Sequence, residues 1–179
     1  FTKWTVSNAL MAEHRFNDWI SGSARGARED NEEPKGHRGA FVYSALLRMT
    51  PLPTLSDTIT YSGRRESFQG KSSGADSLFV SNTAELYQGV NVNASGGLSL
   101  SSTDSGARIK AYNALLGVNL KPRSDLSLNA NYSWNSSTAT GAGSDTSIGT
   151  QREDIGVTYR PFTTLYLTSS FSLLQQSGQ

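Results

Sequence analysis

Strict alternation of apolar and polar residues is the feature that most constrains how this chain can fold. From Leu126 to Trp134 every second residue is apolar or aromatic, and the residues between them are Ser or Asn. Residues 112–120 follow the same pattern, with Asn113, Gly117 and Asn119 on the polar side. A period of two places the apolar residues on one side of an extended strand. The pattern therefore predicts β-strands with one apolar face and one polar face.

Composition supports this interpretation and removes several classes of protein. Ser and Thr make up 43 of the 179 residues, which suits either disorder or regular alternation of polar with apolar residues. The chain has no cysteine, so it cannot form a disulfide, a thiolate nucleophile, a cysteine-ligated metal site or a thioether-attached haem. A formal net charge of +1 argues against a nucleic-acid partner.

The alternation extends over the whole chain and predicts ten strands in five hairpins. Residues 4–20 also permit a helix, because residues 9–13 are good helix formers. Short turns near residues 17, 53, 89, 123 and 162 alternate with longer polar segments at 28–38, 70–76, 101–106 and 136–149. Such segregation predicts an all-β fold with an up-and-down antiparallel meander. The predicted strands lie near residues 2–15, 19–27, 39–50, 55–67, 77–87, 90–101, 108–121, 125–136, 151–161 and 164–175.

With these strands, turns and aromatic residues, the sequence resembles the porin-like outer-membrane β-barrel proteins of Gram-negative bacteria over nearly its whole length. The turn segments 120–126 and 159–163 are typical of that family, and no subfamily is indicated. The resemblance implies an up-and-down antiparallel transmembrane β-barrel, with about ten strands in this chain. It also implies an apolar face toward outer-membrane lipid, a polar face toward the lumen, periplasmic short turns and extracellular long loops. It also implies an aromatic girdle, with the candidates Trp4, Tyr43, Tyr61, Tyr132, Trp134, Tyr159 and Phe162.

The chain departs from the family pattern at its two ends. Barrels of this family usually begin and end on the short-turn side and finish on an aromatic residue, whereas here both ends lie on the long-loop side and the last residues are Gln175–Gln179. We therefore expect residues 1–179 to be a single barrel segment, without a separate domain, inside a larger barrel.

A search for catalytic or ligand-binding chemistry finds no strong candidate. His14 and His37 are far apart in sequence, and Gly70-Lys71-Ser72 lacks the first glycine that a phosphate-binding loop requires. The mixed charges Arg25, Arg28, Glu29, Asp30, Glu32, Glu33, Lys35 and Arg38 suit a solvated loop, a divalent-cation site or contact with lipopolysaccharide. We expect no enzymatic activity, no cofactor and no bound metal.

Charged residues on the polar side of the predicted strands are the remaining functional candidates. If the apolar side meets lipid, these charges point into the lumen. There they either set the electrostatic preference of a pore or form salt bridges with one another. A passive pore or conduit for solutes or an exported polymer is the expected function. The alternatives are a structural sheath or anchor in a larger assembly, a lumen filled by a plug or partner protein, and a soluble β-rich adhesin. The candidate lumen-facing charges are Arg48, Arg64, Glu66, Glu85, Asp154 and Arg160.

Overall fold

Ten antiparallel strands form one sheet in a computed structural model that describes residues 4–33, 36–141 and 145–178. Each strand pairs with the next one along the chain, which is the predicted meander. No helix in the described ranges is long and apolar enough to cross a membrane. The strands are β1 (Trp4–Arg15), β2 (Ile20–Glu33), β3 (Gly36–Leu52), β4 (Leu55–Phe68), β5 (Lys71–Tyr87), β6 (Val90–Ser102), β7 (Arg108–Arg123), β8 (Leu126–Thr140), β9 (Thr146–Phe162) and β10 (Leu165–Gly178).

The first and last strands are both edges of this sheet. Within the described residues, β1 pairs only with β2, and β10 pairs only with β9. The sheet is therefore open within the described residues. The segment 4–15 is a strand, so the helical alternative for this region is wrong.

The register of the sheet sets the tilt of its strands. A row of register partners that starts at Ile20, beside the first turn, crosses to Glu153 on β9 in seven strand steps. From Glu153, β9 continues for nine residues to its last turn at Phe162. With a rise of about 3.3 Å per residue and about 4.8 Å between strands, this offset corresponds to a tilt of about 40°. This is the tilt of strands in a transmembrane barrel.

The two sides of the sheet differ in chemistry. We call the side that carries Tyr112, Leu116 and Val118 on β7, with their register partners, the apolar face. The side that carries Asn113 and Asn119 on β7, with their register partners, is the polar face. Residues in register share a face, so each face can be followed across all ten strands.

The apolar face has no protein packed against it. Large apolar side chains on it are exposed, including Leu10 at 83%, Phe171 at 59% and Ile155 at 52%. The only buried apolar residues among those described are three alanines, Ala27, Ala40 and Ala84. A soluble monomer rarely exposes so much continuous apolar surface. The sheet therefore lacks an internal core and needs another apolar phase on one side.

The strands are longer than the sequence predicts, and the polar connections are correspondingly shorter. Most of the predicted loop 28–38 belongs to β2 and β3, with Arg28 paired to Phe41, while Lys35 lies outside the described residues. The loop predicted at 70–76 is a tight turn at Gln69 and Gly70, and β8 and β9 take up most of 136–149. Backbone ladders can continue after alternation ends, because hydrogen bonds between backbones do not depend on side-chain polarity. The predicted contrast between long loops and short turns is thus wrong for these connections.

Candidate functional site

The polar face carries all six of the charges predicted to face a lumen. Arg64 and Glu66 lie on the even-numbered side of β4, and the register joins that side to Ala40 and Val42 of β3. The same alternation assigns the other four to this face. They are Arg48 on β3, Glu85 on β5, and Asp154 and Arg160 on β9.

Two of these charges belong to a network that connects three strands. Arg64 Nη1 lies 3.2 Å from Glu29 Oε2 on β2, and Arg64 Nε lies 3.2 Å from Glu66 Oε2. Arg38 Nε on β3 lies 3.2 Å from Glu66 Oε1. Two cations and two carboxylates therefore alternate and balance one another. We call Glu29, Arg38, Arg64 and Glu66 the four-charge network.

Small residues beneath the four-charge network allow it to form. Ala40 pairs in register with Glu29 on one side and with Glu66 on the other. Ala40 and Ala27 are each only 4% exposed. A large side chain at Ala40 would stand between β2 and β4, so the short methyl group leaves Arg64 free to reach across β3.

The other predicted charges are not brought into this network. Arg48 lies beside Ser21 and Thr58 near the first two turns, and Glu85 pairs in register with Asn91. Arg160 donates to the Thr163 carbonyl oxygen at 3.2 Å. The six charges thus occupy separate parts of the polar face.

Asp154 has a local partner that the sequence analysis did not single out. Arg152 Nε lies 2.7 Å from Asp154 Oδ2, and Arg152 Nη2 lies 3.0 Å from Asp154 Oδ1. The two residues are two positions apart in β9 and therefore share a face. Alternation alone could have identified this pair. It could not identify Glu29 and Arg38 as members of the polar face, because both lie in the predicted loop 28–38.

Away from these charges, the polar face is lined mainly by neutral amides and hydroxyls. Asn129 of β8 lies over Gly156 of β9, where an added Cβ would come within 2.5 Å of the amide oxygen. Ser62 and Ser77 approach to 2.8 Å between their hydroxyl oxygens on β4 and β5. This part of the face can exchange hydrogen bonds with polar solutes without a strong preference for charge.

The predicted aromatic girdle falls mostly on the apolar face. Register places six of its seven members there. The seventh, Phe162, lies beside the last turn, three positions after Tyr159, so alternation does not place these two side chains on one face. Tyr43, Tyr61, Tyr132 and Trp134 lie inside long strands rather than near strand ends, because those strands continue beyond them.

An aromatic and ionic cluster on the apolar face was not predicted as a unit. Tyr43 crosses over Gly63, and its hydroxyl donates to Asp76, which also accepts from Tyr61 at 3.0 Å. Arg65 Nη2 donates to Asp76 Oδ2 at 2.5 Å. Asp76 lies at the end of a predicted loop, so alternation did not pair it with β3. We call Tyr43, Tyr61, Arg65 and Asp76, with Gly63, the tyrosine cluster.

Part of the charge run at residues 25–38 also lies on the apolar face, beyond the apolar rows of β2 and β3. Arg28 Nε lies 2.9 Å from Asp30 Oδ2, and this guanidinium lowers the pKa of the Asp30 carboxyl below its ordinary value. His37 lies 3.3 Å from Asp30 and 3.5 Å from Glu32. In the parts of the chain that the structure covers, no group of three or more potential metal ligands is suitably placed.

Comparison with known proteins identifies the fold but no close relative. No protein-family profile and no curated protein sequence matches the chain. The siderophore receptor PirA from Pseudomonas aeruginosa superposes with a TM-score of 0.79 at 13% identity, over 97% of this chain and 35% of the receptor. The fold is that of an outer-membrane β-barrel wall.

Two structures of OmpT from Vibrio cholerae extend the comparison. OmpT expressed in the outer membrane gives a TM-score of 0.57 at 13% identity, over 98% of this chain and 56% of that protein. OmpT folded in vitro gives 0.55 at 8% identity, over 96% and 79%. This barrel-wall chain thus spans about a third of the receptor and just over half of the first OmpT chain. The comparisons support the predicted fold class and outer-membrane location.

Proposed function

We propose that the polar face lines a water-filled passage through an outer-membrane barrel, by which small polar solutes cross passively. The observation that carries this proposal is the separation of the two faces across ten strands. Exposed Leu, Val and aromatic side chains suit contact with lipid, and the Asn, Ser and Thr side chains behind them suit contact with water.

The expected mechanism contains no covalent step. Both histidines of the chain, His14 and His37, lie on the apolar face and so cannot serve as a base on the polar face. The four-charge network and the Arg152–Asp154 pair are each neutral, and paired ions present little net field to a passing solute. We therefore expect weak selectivity between cations and anions.

Conductance across a planar lipid bilayer tests this proposal. The protein should give a steady current with little preference between K⁺ and Cl⁻. Substitution Arg64→Gln should shift the preference toward K⁺, because it removes a cation from the polar face and leaves Glu29 and Glu66 without that partner. The matched control is Arg65→Gln, which makes the same charge change one residue away, on the apolar face.

The outcomes separate the pore from its main alternative. Equal shifts in the two variants would show that the polar face does not line the current path. Absence of any steady current from folded protein would reject the pore and favour a structural sheath. One observation favours the sheath: the four-charge network ties β2, β3 and β4 together and could brace a filled or closed wall.

A further inference from the structure

A cavity of about 900 Å³ opens on the apolar face, toward the end where the strands extend furthest. Its floor contains small residues, Gly74 and Ser102, which are register partners on β5 and β6. Phe41 and Arg65 line one side, and Arg108 and Lys110 of β7 line the other. Long side chains on both sides of a low floor account for the cavity.

The cavity lies just beyond the apolar part of the face. On β7, the apolar face carries apolar or aromatic residues from Leu120 back to Tyr112, followed by Lys110 and Arg108. At the strand tilt of about 40°, residues 112–120 span about 20 Å, close to the ~25 Å apolar band of outer-membrane barrels. Lys110 and Arg108 are therefore at the level of lipid headgroups when this face meets lipid.

The two cations on β7 differ from the others around the cavity. Arg65 is engaged by Asp76 at 2.5 Å and also donates to two backbone carbonyl groups. Arg28 is engaged by Asp30 at 2.9 Å, and the carboxylate of Glu66 is engaged by Arg38 and Arg64 in the four-charge network. Arg108 and Lys110 are exposed, and neither makes an ion pair or side-chain hydrogen bond with any described residue. The cavity thus offers two positive charges that the protein does not neutralise.

We propose that this cavity binds the phosphorylated sugar headgroup of a glycolipid in the outer leaflet. Arg108 and Lys110 would bind phosphate, for which guanidinium and ammonium groups are the usual ligands. The hydroxyls of Ser72 and Ser102 and the ring of Phe41 would meet the sugar, whereas Leu100 and Tyr112 would meet the first acyl carbons. A single phosphate would leave most of a 900 Å³ cavity empty, which favours the larger headgroup.

Titration of the detergent-solubilised protein with lipid A, followed by native mass spectrometry, tests this site. The double variant Arg108→Gln, Lys110→Gln should bind lipid A about 30-fold more weakly, since each cation near an anionic headgroup contributes roughly 5-fold. The matched control is Lys121→Gln, Arg123→Gln, which removes the same two residue types, two positions apart, at the opposite end of β7. The control should bind as the original protein does.

Two further lipids separate the parts of the ligand. Dephosphorylated lipid A keeps the sugar, and phosphatidylglycerol keeps a phosphate without the sugar; both should bind much more weakly than lipid A. Equal losses in the two double variants would overturn the site, and equal binding of phosphatidylglycerol would overturn the glycolipid. The inference depends on the apolar face meeting lipid, as in the proposed function, but not on conductance. Weaker lipid A binding with an unchanged current in the Arg108→Gln, Lys110→Gln variant would support the glycolipid site independently of the pore.

Discussion

Glycines at particular strand positions determine which side chains can cross between neighbouring strands. At Gly63, an added Cβ would clash with the ring of Tyr43 and approach Asp76 Oδ1 to 2.6 Å. The missing side chain is therefore what lets Tyr43 of β3 reach Asp76 of β5. The sequence analysis correctly placed Tyr43 with the aromatic residues. It did not find Asp76, because the pairing depends on register, and alternation does not fix register.

Substitution Gly63→Ala should destabilise the protein by roughly 1–3 kcal/mol, because the methyl group displaces Tyr43 and leaves a hydrogen bond to Asp76 unmade. The free energy of unfolding in urea, measured after reconstitution in lipid, reports the change. Gly96→Ala serves as the control: it lies on the same face of β6, and its added Cβ meets one backbone oxygen at 3.4 Å. Equal losses from the two substitutions would contradict the role of Gly63.

At the scale of the elements, alternation predicted the existence and order of the strands but not where they end. It succeeded on β7 and β8 because apolar and polar residues alternate along most of each strand. It failed at β2 and β3, where Arg28, Asp30 and His37 break the pattern although the ladder continues. Hydrogen bonds between backbones hold the strands together there, and they leave no periodic signal in the side chains.

The turn between β4 and β5 shows what limits the longer strands. Gln69 has a φ of 52° and Gly70 a φ of 76°, so both residues are left-handed, as in a two-residue hairpin of type I′. Gln at the first of these positions is unusual, and the polar run 70–76 conceals the turn in the sequence. Recognition of Gln69-Gly70 as a hairpin turn would have given the correct start of β5.

Substitution Gly70→Ala should cost about 1 kcal/mol of unfolding free energy, because a Cβ disfavours a left-handed backbone. No atom lies within 4 Å of the position that this Cβ would take, so steric contact would not contribute. Equilibrium unfolding of the lipid-reconstituted protein measures the loss. Ser73→Ala, three residues along in extended β5, should change stability little, and a loss as large as that of Gly70→Ala would refute the backbone explanation.

For the whole molecule, the hairpin order followed directly from the sequence, because short turns can join only neighbouring antiparallel strands. The tilt did not, since it depends on the offset between Ile20 and Glu153, which belongs to the assembled sheet. The four-charge network likewise could not be predicted from the sequence, because it depends on the register of the assembled sheet. Two of its members, Arg64 and Glu66, were predicted from alternation, and their partners became visible only with the register.

The absence of cysteine allows a direct test of which medium each face meets. In sealed vesicles, Asn129→Cys on the polar face should react with a water-soluble maleimide, and its neighbour Leu128→Cys on the apolar face should not. A lipid-soluble maleimide should reverse the preference. Both variants should react equally after denaturation, which controls for intrinsic reactivity. Equal labelling of the two in the folded protein would reject the assignment of faces.

The open edges at β1 and β10 have a consequence for the order of events during assembly. Backbone N–H and C=O groups without partners cost several kcal/mol each in hydrocarbon, where no water can replace the missing strand. The ten-stranded sheet is therefore not stable in a bilayer while its two edge strands are unpaired. If the sheet spans a membrane, insertion and the pairing of β1 and β10, with each other or with further strands, have to occur as one coupled step, or on a surface that shields both edges until they are paired.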